Sequence, residues 1–569
     1  GDWQGEFMGT YLDAASISAW NAADEDLREK IDGMVSEWLA TQDADGYLGT
    51  YDETDRWKSW DVWVQAHNLI GLESYYRYTG RKDILDAALR IGYRVLQDFG
   101  AEKRTLRDTG PHVGMASSAI LEPMIWLYWE SGDPAFLDFG VWLVEQDWEG
   151  EGGPQILSAI LAGKGVAGVG NSKGIEMLLD FAGLMELYRA TGEEKYLRTI
   201  LLAWEDIAAH HLYITGSAST GEYFPKDFTL PNQGIYRIGE TCVSMGWMYL
   251  NFSLARLTGD ARYLDMAEQT LYNHLLGAQS PDGRSWAYYL GLADSKRYRW
   301  HTDPECCPTK GARGIAQTLG HVFGLFEDGI SVNFYDAAKA VLALPSGGTV
   351  ELSVETAYPY EGLVQISMNL STPETFVLRL RLPGWCRNYT LALNGSALAL
   401  QSDENGYLVL SREWADADQI LFEMDMPVNT VVDSIGNAGR VALTRGPLVF
   451  AADASYLPPG VLLDDVILSL QNGDPIRDIQ VVRPEDGKSV HLVARRSVVR
   501  PQTGTGLWRE KERYDRLIPG ALEEIVEEVV LVPFMEAGNR SFQMIEGIQR
   551  NDEPVRSITF QVWLPYRFS

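Results

Sequence analysis

Cysteine is scarce in this chain, four residues in 569, so no dense disulfide framework can hold it together and its stability must come from buried cores. Positive charge is also short. The 48 Lys and Arg against 79 Asp and Glu leave a formal net charge of -31, which argues against nucleic acid and acidic membranes as partners. A neutral or weakly charged partner is the easier expectation, and no membrane insertion is expected. The sequence begins at GDWQGEF without an initiator Met or an apolar signal segment, as expected of a processed or trimmed chain, and the compartment, cytoplasmic, periplasmic or secreted, is left open. The DADG run around Asp43, Asp45 and Gly46 lacks the remaining spacing of a calcium-binding EF-hand loop and reads as a helix-loop turn. TLGHVFG around His321 lacks a phosphate-binding fingerprint.

What is present is bulk and aromatic surface. A hydrophobic fraction of 46% supports large cores, and 569 residues exceed one ordinary core and divide into two or more domains. The 18 Trp and 27 Tyr offer planar surface for sugar rings, although large cores consume aromatics too. In the first half, YYRYTGRKDIL, LYWESGDPAFL, LYRATGEEKYL and LARLTGDARYL each join an amphipathic run to a second run through Gly80, Gly132, Gly192 or Gly259. A glycine there can cap a helix in the left-handed region. The glycines are 52, 60 and 67 residues apart, room for a helix pair and an elaborated loop. An array of helical hairpins closing into a toroid fits this pattern better than a parallel sheet.

After about Gly329 the period changes to that of strands in GTVELSVETAY, LVQISMNLS, TFVLRLRLPGW, QILFEMDMPV and RVALTRGPLVFAA. The expected fold class is multidomain α+β, an N-terminal (α/α)6 barrel followed by β-sandwich domains. The expected division is 1–328 for the toroid, 329–430 for a β-sandwich, and 431–569 for a second sandwich or a return to the first, with a helical return near LEEIV as an option.

The chemistry is concentrated in two places. Cys306 and Cys307 are adjacent in ECCPTKGAR and cannot staple distant segments to each other, while Glu240 and Cys242 share GETC. Reduced, these four side chains offer one carboxylate and three sulfurs, a donor set suited to tetrahedral zinc. On spacing alone, a purely structural zinc knot and a catalytic site are both admissible. A vicinal disulfide requires strained geometry.

GEYFPKDFTLPNQGIYRIGETC, RLTGDARYLDMAEQTLYN, ECCPTKGAR, RLPGWC and RGPLVF, in that order along both halves, resemble the beta-L-arabinofuranosidase family of glycoside hydrolases, family 127, or a closely allied clan member. The resemblance implies a zinc-associated cysteine nucleophile, a glutamate acid/base, an (α/α)6 barrel and appended β-sandwiches. Carried onto this sequence, it makes Glu240, Cys242, Cys306 and Cys307 the Zn2+ ligands, Cys306 the nucleophile and Glu222 in STGEYF the acid/base. It also makes His67, His112, Glu268 and Tyr288 pocket residues that bind sugar hydroxyls or position the thiolate. Asn171 in GVGNSKG stands where the family often has a histidine, at a hydroxyl-recognition position, and is a further substrate-binding candidate with an amide donor and acceptor. Gly5 and Gly9 permit close turns in the opening phrase, with Trp3 and Glu6 bordering the pocket.

The sequence departs from the family pattern at Thr309 and Lys310 after CCP, and STGEYF has no histidine before its Glu. Lys310 is either a surface charge or a contact for a carboxylated sugar. The resulting expectation is a retaining exo-acting hydrolase acting on the terminal sugar of an oligosaccharide or plant glycan, with beta-L-arabinofuranose as the first choice. A hydrolase of a related modified or carboxylated sugar, a non-catalytic zinc-containing carbohydrate-binding protein and a polysaccharide lyase are the alternatives. Asn251, Asn369 and Asn388 begin glycosylation sequons.

Overall fold

The computed structural model describes residues 2–299, 305–459, 461–504, 516–545 and 558–568. Its first half is helical. The helices that build the site are α1 (Phe7–Asn21), α2 (Glu25–Leu39), α3 (Asp61–Thr79), α4 (Lys82–Asp98), α5 (Leu121–Ser131), α6 (Pro134–Trp142), α7 (Gly174–Thr191), α8 (Glu194–His210), α9 (Thr241–Thr258), α10 (Arg262–Gln269) and α11 (Cys306–Leu319). The four expected glycine caps are all in place. Gly80, Gly132, Gly192 and Gly259 follow α3, α5, α7 and α9 with φ of 62°, 69°, 72° and 72°, and each N–H donates to the carbonyl four residues back.

The two members of each hairpin differ in pattern, and the difference sorts them. In α3 every residue from Asp61 to Glu73 is buried, as in a helix enclosed on all sides. In α4 the buried set is Ile84, Ala87, Ala88, Ile91, Gly92 and Val95, one stripe at helical spacing with a solvated face opposite. The enclosed helices α1, α3, α5, α7, α9 and α11 pack each against the next, and α11 packs back against α1. Gly9 lies inside α1 instead of at a turn. A Cβ there would stand 2.2 Å from the carbonyl oxygen of His67, and one on Gly71 would stand 2.4 Å from that of Gly9. The glycines let α1 and α3 touch backbone to backbone, which brings Glu6 and Trp63 together at one end of the ring.

The second half is β-rich. A four-stranded sheet runs in the order Tyr407–Trp414, Glu374–Arg381, Gly329–Val332, Phe323–Phe326. A six-stranded sheet runs Ser396–Leu398, Tyr389–Leu393, Gln419–Met424, Leu363–Asn369, Thr349–Thr356, Ala338–Ala343. Gln419–Met424 alternates strictly between exposed and buried residues, the mark of a strand with one face on a core. Leu352, Ile366 and Phe422 of the larger sheet and Leu378, Leu380 and Leu408 of the smaller belong to one buried cluster. The hairpin Phe323–Phe326 with Gly329–Val332 begins before the expected division at 328. A third sheet collects strands from Val428 onward and also takes in Ala293–Asp294, paired with Phe560–Gln561. LEEIV lies within the strand Arg516–Pro533, so the chain makes no helical return there; the Val and Ile of that run are strand formers, and pairing to His491–Gly504 decides the outcome.

Glu268, expected in the pocket, is at the joint between the two halves. Its carboxylate accepts from Arg381, from the hydroxyl of Tyr358 at 2.6 Å and from the indole of Trp385 at 3.2 Å, and Arg381 also pairs with Asp265 at 2.6 Å. α10 lies outside the ring of enclosed helices, and its Glu268 side chain faces the β-rich half. Glu268→Ala leaves a fully buried guanidinium with one partner fewer, and breaking such a pair costs about 3 kcal/mol. The expected result is a markedly lower Tm with sugar binding unchanged in the folded protein; weakened sugar binding at unaltered Tm would restore the pocket role. Among the sequons, Asn251 is buried and bonded to Trp204, whereas Asn369 and Asn388 are exposed.

Candidate active site

Glu222 is held by a tight hairpin. Thr220 and Tyr223 exchange backbone hydrogen bonds of 3.0 and 3.2 Å, and the two residues between them, Gly221 and Glu222, have φ of 57° and 76°. Positive φ at both central positions defines the turn types that match strand twist. Glycine adopts it freely, whereas a glutamate there costs roughly 1–2 kcal/mol. Backbone strain of this kind collects at functional positions. The side chain is fixed from three directions: Lys173 donates to Oε2 at 2.8 Å, and the hydroxyls of Tyr288 and Tyr289 donate to Oε1 at 2.9 and 2.7 Å. Burial pushes the carboxyl up, but the Lys173 charge and these hydrogen bonds outweigh it and hold Glu222 below the usual carboxylate range.

Glu240 immediately precedes α9, Cys242 lies in its first turn, and Cys306 and Cys307 open α11. Two packed helices thus aim their N-termini, with their positive dipole ends, at one point. The Cys242 sulfur is 3.2 Å from that of Cys306 and 3.3 Å from that of Cys307, and the vicinal pair is 4.0 Å apart. All four cysteines of the chain are free thiols. With a carboxylate oxygen of Glu240, the three sulfurs form a set of donor atoms within 4.8 Å of one another. Glu240 is buried with Oε2 lacking any hydrogen-bond partner. A buried carboxylate oxygen and three converging sulfurs are costly unless something positive holds them, and zinc–sulfur bonds of about 2.3 Å place neighbouring ligands at just such separations. The cluster is therefore a buried centre capable of holding a metal.

The sulfurs are not equivalent. Cys242 and Cys307 are buried, and burial pushes both thiols up. Cys306 is half-buried, lines the pocket, and is held well below the ordinary thiol range by hydrogen bonds from Cys242 and Cys307. Its sulfur is 3.8 Å from the Tyr288 hydroxyl.

Trp3, Trp60 and Trp63 wall the same pocket, with Glu6, Lys173, Glu176, Glu222, Arg237, Glu240, Tyr288, Tyr289, Arg299 and Glu305 around Cys306. Glu6 accepts from the Trp63 indole, and burial pushes its carboxyl up to about 8, so at neutral pH it is largely a neutral acid able to donate to a hydroxyl. Tyr288, Trp3 and Glu6 line this pocket. His67 is one step back, its ring against Trp63 at 4.2 Å between centroids and its Nδ1 3.0 Å from the Trp63 carbonyl. His112 and Asn171 meet at 3.0 Å beside the pocket, with His112 Nε2 3.8 Å from Glu176. Burial lowers His112 to about 4, so it is neutral. Lys310 is neither on the surface nor at the pocket wall; it is buried, with Glu6, Asp13 and Arg313 as its charged surroundings. Lys173, Glu176 and Tyr289 were not anticipated. Adjacent letters carried the signal: Lys173 follows Asn171 by two positions at the start of α7, Glu176 lies one turn further, and Tyr289 follows Tyr288.

Comparison with known proteins bears on this arrangement. Residues 1–320 match the family model described as beta-L-arabinofuranosidase, GH127 catalytic domain, and residues 329–426 the GH127 middle domain. A non-reducing end beta-L-arabinofuranosidase of Bifidobacterium longum subsp. longum is 26% identical over 504 residues, covering 78% of this chain and 74% of that protein. The fold is similar to that of a GH127 beta-L-arabinofuranosidase from Geobacillus stearothermophilus T6, with a TM-score of 0.80 at 21% identity over 100% of this chain and 92% of that one. It is also similar to a second GH127 beta-arabinofuranosidase, with a TM-score of 0.78 at 22% identity over 99% and 88%. With the catalytic-domain model spanning more than half of its length, the chain belongs to the beta-L-arabinofuranosidase family of glycoside hydrolases, family 127.

Proposed function

We propose that this protein is a retaining, exo-acting glycoside hydrolase that releases terminal beta-L-arabinofuranose from the non-reducing end of a plant glycan. The observation that carries the reading is that Cys306, a member of the buried cysteine–glutamate cluster, opens into the same pocket as the strained, triply hydrogen-bonded Glu222. The Cys306 thiolate attacks the anomeric carbon while Glu222 delivers a proton to the departing oxygen, so that a C–S bond forms as the C–O bond breaks. In the second half, Glu222 takes a proton from water, water attacks the same carbon, and the thiolate leaves. Two inversions give retention. Glu240, Cys242, Cys306 and Cys307 would hold Zn2+, which would supply the positive charge that keeps the sulfurs deprotonated. Tyr288 and Tyr289 hold the Glu222 carboxylate, and Trp3, Trp60 and Trp63 give the sugar a flat apolar wall. On this reading the six enclosed helices and their five outer partners correspond to the (α/α)6 barrel, which ends with α11 at Leu319, and the β-rich material from Phe323 onward braces it.

The pocket's charges favour a neutral sugar. Even with Glu6 neutral, Glu176, Glu222, Glu240 and Glu305 line it against Lys173, Arg237 and Arg299, and Lys310 is buried outside that lining, so the described residues disfavour a carboxylated substrate. The reading is tested with aryl beta-L-arabinofuranosides and arabinofuranosyl-capped oligosaccharides, following the first-formed anomer by NMR and bound metal by mass spectrometry. The expected results are a β-configured product and loss of metal and activity together in Cys242→Ser, which removes a soft ligand. An inverted product, or full activity in protein without zinc, would overturn it.

A further inference from the structure

A second group of metal-binding side chains lies away from the cysteine cluster. α8 ends in His210, followed by His211, one turn after Asp206. Asp206 accepts from the Val166 N–H at 2.7 Å and lies 2.8 Å from Nδ1 of His210. The loop that leaves Glu222 runs back over this helix end, where the Phe228 N–H donates to the His210 carbonyl at 3.1 Å. That contact brings in Asp227, so that donor atoms of Asp206, His210 and Asp227 all lie within 4.8 Å of one another.

The independent observation is His211. Its ring is fully buried, and neither nitrogen has a hydrogen-bond partner. Nε2 faces the gap between the two carboxylates, 3.4 Å from Asp206 and 3.8 Å from Asp227. A buried imidazole without a well-formed hydrogen bond, within ion-pair range of Asp206 and Asp227, costs about 1–3 kcal/mol, and two carboxylates converging on one point repel. One divalent cation answers both. The donors are carboxylate oxygens and an imidazole nitrogen without sulfur, a set suited to zinc or another first-row divalent ion. Metal–ligand bonds of about 2.0–2.2 Å put adjacent donors roughly 3–3.5 Å apart, close to the spacings here. We propose that Asp206, His210 and Asp227 form a second divalent-cation site, separate from the cysteine cluster and backed by the buried His211 ring, that staples the Glu222 loop to the end of α8.

The staple matters because Asp227 is five residues beyond Glu222, too close for the loop to shift at one without disturbing the other. The catalytic consequence rests on the role proposed for Glu222; the metal site does not. Full-length protein stripped with a chelator and dialysed against Zn2+ alone should hold two zinc ions per chain. Asp227→Ala combined with His210→Ala should hold one, and Cys242→Ser should keep the one held by Asp206, His210 and Asp227. Asp227 is 59% exposed in its side chain, so Asp227→Ala alone serves if the double variant folds poorly, with zinc affinity at this site falling at least tenfold. One zinc in the wild type, or two in both Asp227 variants, overturns the site. With the site established, Asp227→Ala should slow poor leaving groups roughly 10-fold to 10²-fold and activated aryl groups little. An equal effect on both overturns its link to Glu222 while leaving the zinc count standing.

Discussion

Cys306→Ser should lower kcat/KM by roughly 10³-fold or more while substrate still binds, because a serine hydroxyl at this position is a far weaker nucleophile than a thiolate. The fold is expected to survive. Glu240, Cys242 and Cys307 remain as three donors, and the pocket walls from Trp3, Trp60, Trp63, Tyr288 and Tyr289 do not depend on that sulfur. Two measurements separate chemistry from damage: sugar binding by calorimetry, which should persist, and covalent labelling by a cyclophellitol-like or haloacetamide sugar analogue, which should modify Cys306 in the wild type. Labelling of a carboxylate, or full activity in the serine variant, would sink the cysteine mechanism. The choice of Cys306 over Cys307 follows from position. Cys307 is one residue further along α11 and is turned into the core, where no sugar can reach it.

The features legible in the sequence were those written into short local patterns. The helix-ending glycines are legible because a left-handed cap admits few other residues, and the metal centre because two adjacent cysteines and Glu-x-Cys leave little else for those side chains to do. Glu268 shows the limit. Its motif was read correctly as part of the family pattern, but whether an α10 carboxylate faces the barrel axis or the β-sandwich depends on which side of the ring the helix occupies, and that is set by contacts more than a hundred residues away, through Arg381. Lys310 fails for a related reason. A lysine is usually solvated, and only the convergence of α1, α3 and α11 surrounds this one with Glu6 and Asp13. Lys173 and Tyr289 neighbour the legible Asn171 and Tyr288, but the role of each is defined by its hydrogen bond to Glu222, a residue remote from both in sequence.

The same contacts shape the other large expected effect. Glu222→Gln should slow glycosides with poor leaving groups by about 10²–10⁴-fold and activated aryl glycosides much less at the bond-breaking step, since a good leaving group needs little protonation. Azide should restore part of the turnover of activated substrates by replacing water in the second half-reaction. The pH profile follows from what surrounds the carboxyl. Glu222 acts first as an acid, so the basic limb of kcat/KM tracks the loss of its proton, and Lys173 holds its carboxyl low. That places the limb on the acidic side and favours turnover at acidic pH. In Lys173→Met the cation that favours the carboxylate is gone while the burial that disfavours it stays, so the proton is kept to higher pH and the limb moves upward. Glu176, 3.7 Å from the same ammonium, loses that attraction too but does not hydrogen-bond Glu222. A Lys173→Met profile superimposable on the wild type would show that Glu222 is not the group whose titration limits catalysis, and equal rates for wild type and Glu222→Gln on a natural glycoside would remove it as the acid.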